Sequence, residues 1–448
     1  MRTIPHSRMT EGPILPSVLL YSLPLIGGNL MQQLYNTFDS IIVGNLVGDT
    51  ALAAVGAGGQ ILGLLITAFL GAGAGAGILI AMYYGAQEPK RLSAAVHSSI
   101  VLTVWGALFL TMVGLGGSRL FLRWMDTPAE VLPEAVSYLR IIFLGTLFRA
   151  LYNMAAAILN AVGNSARSLR YLAVSSVLNI VLDLLFVGVL RWGVAGAAWA
   201  TVLSEAVSAA LSFRYLCRVE EIYRVRLPDL RLDRSMGRRI LRLGIPSAVQ
   251  GTVISFSNVL IQAGVNAYGT AAMAGFTAYM KVDGFNILPV HSFSLAASTF
   301  VGQNLGAGKR VRAKSGTLTI LGVSLAYTAA MSVLMLSFSR SVLSIFGGEE
   351  QAIQYGILCL RALSPFYTLL AVIHSLAGAV RGSGHTLAPM AIILFSLCLC
   401  RIAWIRLAAP LFGSIRGVFL TYPVSFFIGA ALMVVYALFA HWLEIPSH

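Results

Sequence analysis

The sequence predicts an all-α membrane protein in which twelve transmembrane helices form two six-helix lobes, related as parallel internal repeats. Composition is the first observation behind this fold class, because 57% of the 448 residues are hydrophobic and only 11% are charged. Soluble domains average about 25% charged residues. The second observation is a series of apolar stretches of ~20 residues or more, long enough to cross a bilayer. The third is an internal repeat with a constant spacing.

Glycine, proline and charged residues divide the apolar sequence into the predicted helices. In the first half their limits are 15–46, 52–82, 93–116, 134–161, 168–190 and 194–216. In the second half they are 240–267, 272–304, 314–338, 354–380, 386–409 and 415–440. Several of these exceed the ~20 residues that span a bilayer, so tilts or kinks are expected. Pro24 in the first helix is one candidate for a kink.

The distribution of lysine and arginine predicts the orientation. Basic residues concentrate in the N-terminal tail (Arg2 and Arg8), in the loops after even-numbered helices, and in the connection between helices six and seven. Positive charge favours the cytoplasmic side, so both termini are predicted to be cytoplasmic in a multi-pass protein of the bacterial plasma (inner) membrane. The same rule explains the net charge of +14. The sequence contains no basic helix interleaved with aromatic residues, so nucleic-acid binding is not predicted.

The two halves of the chain repeat one another. Five pairs of identical residues share one spacing of 221: Gly48 and Gly269, Gly85 and Gly306, Arg140 and Arg361, Gly163 and Gly384, and Gly196 and Gly417. We therefore predict an N-terminal lobe at 1–218, a cytoplasmic linker at 219–239 and a C-terminal lobe at 240–448. An even number of helices per lobe makes the repeats parallel, and two lobes with a cleft between them suit alternating access.

The halves differ in their acidic residues. Three acids of the first half have apolar counterparts in the second: Asp39 with Leu260, Asp183 with Trp404, and Glu205 with Phe426. A carboxylate at the bilayer centre costs roughly 2.5–3.5 kcal/mol on insertion scales, so its presence needs a reason. A purely structural acid would be expected in both halves, and we therefore predict that the chemistry is confined to the first lobe.

Helix depth brings these residues to one level. At ~1.5 Å per residue, Asp39, Asp183 and Thr201 all lie roughly 10–14 Å below the outer ends of their helices. One helical turn away, each has a polar neighbour on its own face: Asn36 for Asp39, Asn179 for Asp183 and Glu205 for Thr201. Tyr35 and Gln33 lie nearby. A cavity with these oxygens would bind a proton, a sodium ion or an organic cation; alternatively, the two aspartates bond to neighbouring Asn and Thr only to fix helix packing.

Other motifs allow two interpretations. The stretch GAGAGAG (71–77) resembles a phosphate loop, but no strand precedes it and no Lys-Ser/Thr follows, which favours close helix packing. Lys281 and Asp283 on the eighth helix could pair with each other or contact substrate. Tyr367 belongs to a set of aromatic residues that could line an apolar substrate chamber. The four cysteines show neither disulfide nor metal-ligand spacing.

Several segments resemble the multidrug and toxic compound extrusion (MATE) family along nearly the whole chain. They are PLIGGNLMQQLYNTFDSIIVG, YNMAAAILNAVGNS, NIVLDLLFVGVLRWGVAGAAWATVLS, STFVGQNLGAGKRVRA and GAVRGSGHTLAP. The resemblance implies twelve helices in two V-arranged lobes. It also implies export of amphipathic, often cationic compounds against an inward flux of H+ or Na+.

The resemblance also assigns roles to single residues. It implies that Asp39, Asn179, Asp183 and Thr201 form a first-lobe cation-binding cluster, that Asn153 matches a fourth-helix asparagine, and that Pro24 is the proline associated with bending. The chain departs from the family in two ways. One branch of the family binds sodium through acidic residues on the seventh and tenth helices. Here neither predicted helix contains an acidic residue. Glu205 occupies a position where a neutral polar residue is expected, so the local charge would be unusually negative.

These observations predict a secondary antiporter rather than an enzyme. The expected partners are small amphipathic molecules and the lipid bilayer, the protein is expected to be a monomer, and no cofactor or firm metal site is predicted beyond the coupling ion, H+ or Na+, at Asp39 and Asp183. The nearest alternative is a flippase or exporter for a lipid-linked sugar or a polar metabolite, which arginine-lined clefts would favour. A membrane-embedded enzyme is the remote alternative, because no compact catalytic set occurs in the spans.

Overall fold

A computed structural model of the chain describes residues 9–345 and 349–444, apart from the side chains at 49, 60–62, 64–70 and 72. Arg2 and Arg8, which contributed to the predicted orientation, lie outside the described residues. Within the described ranges the secondary structure is helical and contains no β-strand. The all-α prediction is therefore confirmed.

Six long helices form in the first half of the chain. They are α1 (Ile14–Leu46), α2 (Asp49–Gly85), α3 (Pro89–Trp124), α4 (Leu132–Ala161), α5 (Ser165–Val189) and α6 (Gly193–Arg218). Helices suit these apolar sequences because they satisfy every backbone N–H and C=O within the segment. Gly48 separates α1 from α2 with a φ of 114°, a conformation that favours glycine.

Six more helices follow in the second half. They are α7 (Arg234–Asn266), α8 (Thr270–Gly306), α9 (Arg310–Ser337), α10 (Glu350–Gly382), α11 (Leu387–Phe412) and α12 (Ile415–Phe439), with a short helix at Ser339–Ser344. In the described part of the chain, ten of these helices have the length and hydropathy of a membrane span. The twelve-helix prediction is confirmed, and the chain is a multi-pass membrane protein.

Several predicted limits differ from the structure: α7, for example, begins at Arg234 rather than at 240, and α9 at Arg310 rather than at 314. Helix α3 continues to Trp124, beyond the predicted end at 116. Helix α10 begins at Glu350 rather than at 354, so the expectation that the tenth helix carries no acid is wrong at its first residue. This carboxylate is exposed and accepts a hydrogen bond from Arg340 Nη2 at 2.7 Å, so it belongs to the surface.

The helix bounds repeat with the spacing found in the sequence. Helices α2 and α8 each contain 37 residues, and both their first and last residues are 221 positions apart. Gly269, the counterpart of Gly48, also has a positive φ, of 95°. The duplication therefore extends from the sequence to the backbone conformation.

The chain forms two compact units. The first contains Leu23–Ala248, and the second contains Val249 onward together with the described residues up to Ser22. The division falls within α1, close to Pro24, and within α7, close to Pro246. A proline removes one backbone hydrogen bond from a helix, so both helices carry a point at which bending is easy. The predicted lobe boundaries, which assign whole helices to one lobe, stay a prediction.

The segment between α6 and α7 packs closely on the first unit. Tyr223 and Val225 are buried in its core. The Arg226 backbone N–H donates to His97 Nε2 at 3.0 Å, and the Asp233 backbone N–H donates to Ser98 Oγ at 3.1 Å. The connection is thus anchored to the start of α3.

The GAGAGAG stretch lies inside α2, where its glycines allow α7 to approach. A Cβ atom on Gly75 would lie 2.2 Å from the Ile240 carbonyl oxygen, and one on Gly71 would lie 2.5 Å from Ala248 Cβ. No side chain fits at such distances, so the small residues serve helix packing. A position in the middle of a helix also excludes the phosphate-loop interpretation.

An apolar core fills one end of the first unit. It includes Val43 on α1, Leu139 on α4, Val187 on α5 and Ala197 on α6, all of them buried. Val43 lies one helical turn after Asp39, Val187 one turn after Asp183, and Ala197 one turn before Thr201. This core therefore holds in place the three helix segments that carry the predicted polar residues.

Candidate functional site

Four polar residues predicted from the sequence are buried on three helices of the first unit: Asp39 on α1, Asn179 and Asp183 on α5, and Thr201 on α6. The exposed fraction is 0% for Asp183 and 8% for Asp39. The two carboxylates are close enough to interact electrostatically. Asn179 Nδ2 donates to Thr201 Oγ1 at 3.5 Å, the length of a weak hydrogen bond. We call these four residues the acid cluster.

The acid cluster contains oxygen atoms without hydrogen-bond donors. Asp39 Oδ1, Asn179 Oδ1 and both carboxylate oxygens of Asp183 are buried and accept no hydrogen bond from the described residues. Buried acceptors are normally satisfied, because an unmet one costs free energy. If the aspartates served only to fix packing through Asn and Thr, these oxygens would be bonded. Four unmet acceptors suit a proton or a cation instead.

Asp183 also marks a change in helix geometry. It is the last residue of the α-helical part of α5, and Leu184–Val189 continue as a π-helix. Wide turns of this kind occur often at functional sites, because they loosen the regular backbone bonding. The local structure therefore agrees with the side-chain chemistry.

An ion pair lies beside the acid cluster. Arg149 Nε on α4 donates to Glu205 Oε1 on α6 at 2.6 Å, and the two side chains are 20% and 15% exposed. Glu205 follows Thr201 by one turn of α6. Because Arg149 supplies a positive charge, the site is less negative than the sequence led us to expect.

Two tyrosines connect the acid cluster with this ion pair. Tyr35 on α1 interacts electrostatically with both aspartates, with Arg149 and with Glu205. Tyr138 on α4 interacts with Asp39, Tyr35 and both members of the ion pair. Its ring packs against Gly58 of α2, where an added Cβ would lie 2.7 Å from the ring. Both tyrosines therefore lie within electrostatic range of Asp39 and of the ion pair.

The second unit places its own acid differently. Asp283 Oδ1 on α8 accepts hydrogen bonds from the Tyr279 hydroxyl at 3.3 Å and from the Tyr367 hydroxyl. Asp283 is half-buried and Lys281 is exposed. Unlike the acid cluster, this carboxylate has donors from two tyrosines.

A buried arginine lies in the second unit. Arg401 on α11 is 4% exposed; its Nε donates to Ser425 Oγ at 3.0 Å and its Nη1 to Asn258 Oδ1 at 3.3 Å. Its guanidinium stacks over Tyr422, with 4.6 Å to the ring centroid. Tyr422 is the repeat counterpart of Thr201. The counterparts of the three first-half acids are apolar, but the second unit also holds a buried cation among aromatic rings.

Comparison with known proteins identifies the family. The MatE family model matches residues 24–185 and 246–405. The chain belongs to the MatE family. It is 30% identical to the Probable multidrug resistance protein YpnP of Bacillus subtilis over 97% of both chains. It is 26% identical to the Probable multidrug resistance protein NorM of Thermotoga maritima, covering 89% of this chain and 86% of that protein.

A solved structure supports the same fold. It is an outward-facing multidrug resistance MATE family transporter of the MOP superfamily, with a TM-score of 0.90, 23% identity and 98% of each chain covered. Members of this family are membrane transporters, so this MatE protein is a transporter and not an enzyme. The predicted family and the two-lobe, twelve-helix fold class are confirmed.

The remaining predicted residues of the MatE protein occupy more open positions. Asn36 and Gln33 on α1 are exposed, whereas Asp39 on the same helix is buried. Asn153 on α4 is half-buried, one turn after Arg149, and Pro24 is half-buried in α1. Tyr35 and Glu205 thus lie near the acid cluster, whereas Asn36 and Gln33 occupy exposed positions.

The residues that sequence reasoning missed include Arg149, Tyr138, Tyr279 and Arg401. A useful signal was available for the arginines, since both lie far from helix ends, where a guanidinium needs a partner. Tyr138 carried no comparable signal, because aromatic residues are common in the spans.

Proposed function

We propose that this MatE protein exports amphipathic, often cationic compounds in exchange for an inward flux of H+ or Na+, by alternating access. The observation that carries the proposal is the set of four buried acceptor oxygens without donors in the acid cluster. Curated relatives named as multidrug resistance proteins support the substrate class. The protein acts in the bacterial inner membrane with both termini in the cytoplasm, as the distribution of basic residues favours.

In this proposal the ion binds to the acid cluster and reduces the free-energy cost of burying two negatively charged carboxylates together. A proton converts one carboxylate oxygen into a donor, and Na+ is bound by the carboxylate, amide and hydroxyl oxygens together. Either ion neutralises part of the repulsion between Asp39 and Asp183. Occupation thus changes the free energy of the helices that carry the cluster, which is what coupling requires.

Coupling also requires that ion and substrate favour different conformations, since a ligand that binds two states equally shifts neither. Helix α1 is suited to this role, because it carries both Asp39 and Pro24. Binding at Asp39 shifts the balance between two arrangements of α1 that differ by bending at Pro24. In one of them the substrate chamber is open, and in the other it is filled by repacked side chains.

A polar anionic metabolite is a second candidate for the cargo. Arg401 supports it, because a guanidinium buried in the membrane region gives the second unit a positive charge that suits an anionic group. Substrate panels should therefore include an anionic metabolite as well as cationic dyes.

Drug susceptibility tests the proposal. A drug-sensitive bacterial host carries the wild type, Asp39→Asn, Asp183→Asn, or Asp229→Asn, a matched acid-to-amide change at an exposed position between α6 and α7. We expect wild type and Asp229→Asn to confer resistance that disappears with an ionophore, and both cluster variants to confer none. The thermal unfolding midpoints of both cluster variants should not fall, because the lost oxygens accept no hydrogen bonds.

Full resistance from both Asp39→Asn and Asp183→Asn, at normal expression, would contradict the proposed ion site. Resistance that persists without any ion gradient would contradict antiport.

A further inference from the structure

The Arg149–Glu205 ion pair is not required by the scaffold. The repeat counterparts of its two members are Leu370 on α10 and Phe426 on α12, and both are buried apolar residues. The corresponding positions in the second unit therefore pack without an ion pair, although the guanidinium of Arg401 on α11 lies 5.6 Å from the centre of the Phe426 ring. A pair that is present in only one of two duplicated helix packings has a reason beyond holding the helices together.

The ion pair lies beside the acid cluster. Glu205 lies one turn from Thr201 on α6, and Tyr35 interacts electrostatically with Arg149 as well as with both aspartates. The site thus contains three carboxylates and one fixed cation. An arginine side chain is long and stays protonated, so it can serve as a permanent counter-ion for any carboxylate within its reach.

We propose, building on the function proposed above, that Arg149 is a tethered counter-cation that competes with external cations for the acid cluster. Glu205 holds the guanidinium away from Asp39 and Asp183. In the structure the guanidinium is bound to Glu205, and the carboxylate oxygens of Asp183 accept no hydrogen bond from it. Its positive charge opposes an ion or a cationic substrate that arrives at the acid cluster, and Glu205 offsets that charge, so the pair sets how tightly the site binds cations.

This role predicts opposite effects for the two members of the pair. Arg149→Gln removes the competitor, so cations bind more tightly. Glu205→Gln removes the carboxylate that restrains the guanidinium, so Arg149 turns to the aspartates and cations bind more weakly. The double variant lacks both the competitor and its restraint, and returns close to the wild-type affinity. A merely structural pair predicts that all three variants lose affinity and thermal stability together.

The test is equilibrium binding of tetraphenylphosphonium, a permanently charged lipophilic cation, to the purified full-length protein in detergent. We expect Kd to fall about 5-fold or more for Arg149→Gln and to rise about 5-fold or more for Glu205→Gln, in the usual range of coupling between sites. Arg149→Lys keeps the charge and should stay near wild type. The double variant, Arg149→Gln with Glu205→Gln, has the same net charge as wild type and should fold and bind like it. The double variant therefore still tests the proposal if one of the single variants unfolds.

An Asp39→Asn arm separates this inference from the function on which it depends. If Asp39→Asn leaves the affinity for tetraphenylphosphonium unchanged, the proposed cation site itself fails. If Asp39→Asn loses binding while Arg149→Gln and Glu205→Gln shift Kd in the same direction, only the counter-cation role is overturned. A double variant with much weaker binding than wild type would overturn it as well.

Discussion

The buried acids of this protein differ in whether their oxygens have donors. Asp183 is fully buried, and both its carboxylate oxygens lack a hydrogen bond from the described residues. Asp283 in the second unit accepts bonds from two tyrosine hydroxyls. A buried carboxylate that accepts hydrogen bonds is already stabilised, whereas one without donors is stabilised when it binds a proton or a cation. This contrast separates the acid that suits a reversible ligand from the one that suits a fixed local structure.

A residue outside the membrane allows a prediction about pH. Asp233 precedes α7, and its Oδ1 accepts hydrogen bonds from the Met236 and Ser235 backbone N–H groups and from the Ser235 hydroxyl. The Met236 bond, followed by the Ser235 hydroxyl bond, lowers the pKa of Asp233 below its ordinary value. Since the carboxylate is favoured in the folded state, its stabilisation is complete above the ordinary pKa of about 4 and is lost as pH falls through the lowered value.

We therefore expect thermal unfolding midpoints, measured from neutral to acidic pH, to fall more steeply below about pH 4 in wild type than in Asp233→Asn. Asparagine is a suitable control because it caps helices but does not titrate. Parallel curves for the two proteins would show that the cap does not contribute to the pH dependence.

At the same scale, the sequence identified some site residues and missed others for a definite reason. Asp39, Asp183 and Glu205 could be found because helix depth and repeat counterparts are linear properties of the sequence. Arg149 could not be assigned to Glu205, because the rotation of α4 against α6 depends on side-chain packing along both helices. Asn36 shows the same limit, since a shared helix face did not decide which residue became buried.

At the scale of single helices, proline and glycine determine what each element can do. Helices α1 and α7 are both divided between the two compact units close to a proline. Helix α2 is instead fixed by contact, because α7 approaches its glycines more closely than any side chain permits. Helices α1 and α7 are thus suited to bending near their prolines, and α2 is suited to rigid packing.

Two glycines of α2 provide a matched test of this packing. In Gly75→Ala the new Cβ would overlap the Ile240 carbonyl oxygen, whereas in Gly77→Ala no atom lies within 4 Å of the new Cβ. We expect Gly75→Ala to destabilise the fold by about 1–3 kcal/mol, as overpacking usually does. Gly77→Ala should leave stability unchanged or raise it slightly through better helix propensity. Thermal unfolding of both purified variants distinguishes them, and equal midpoints would contradict the close contact between α2 and α7.

At the scale of the whole molecule, duplication explains why so much of the fold could be predicted. Helix number and type follow from hydropathy, and the constant spacing of 221 residues predicts that helix bounds recur, as α2 and α8 do. Helix ends were less accurate, as with α3, because Arg119 and Arg123 interrupt the apolar sequence before the helix ends at Trp124. The chemistry of the second half was also underestimated, since Arg401 has no charged counterpart in the first half and was not singled out from the sequence.

The account as a whole depends on one claim, that ion binding at the acid cluster is coupled to export. Its most direct test is reconstitution of the protein into liposomes with an internal pH- or sodium-sensitive dye. Ethidium is then added as substrate, and the ion movement that it evokes is recorded for wild type and for Asp183→Asn. We predict that substrate movement through wild type drives an opposite flux of H+ or Na+, and that Asp183→Asn shows neither flux. Substrate transport by wild type without ion movement, or equal exchange by Asp183→Asn, would contradict the claim.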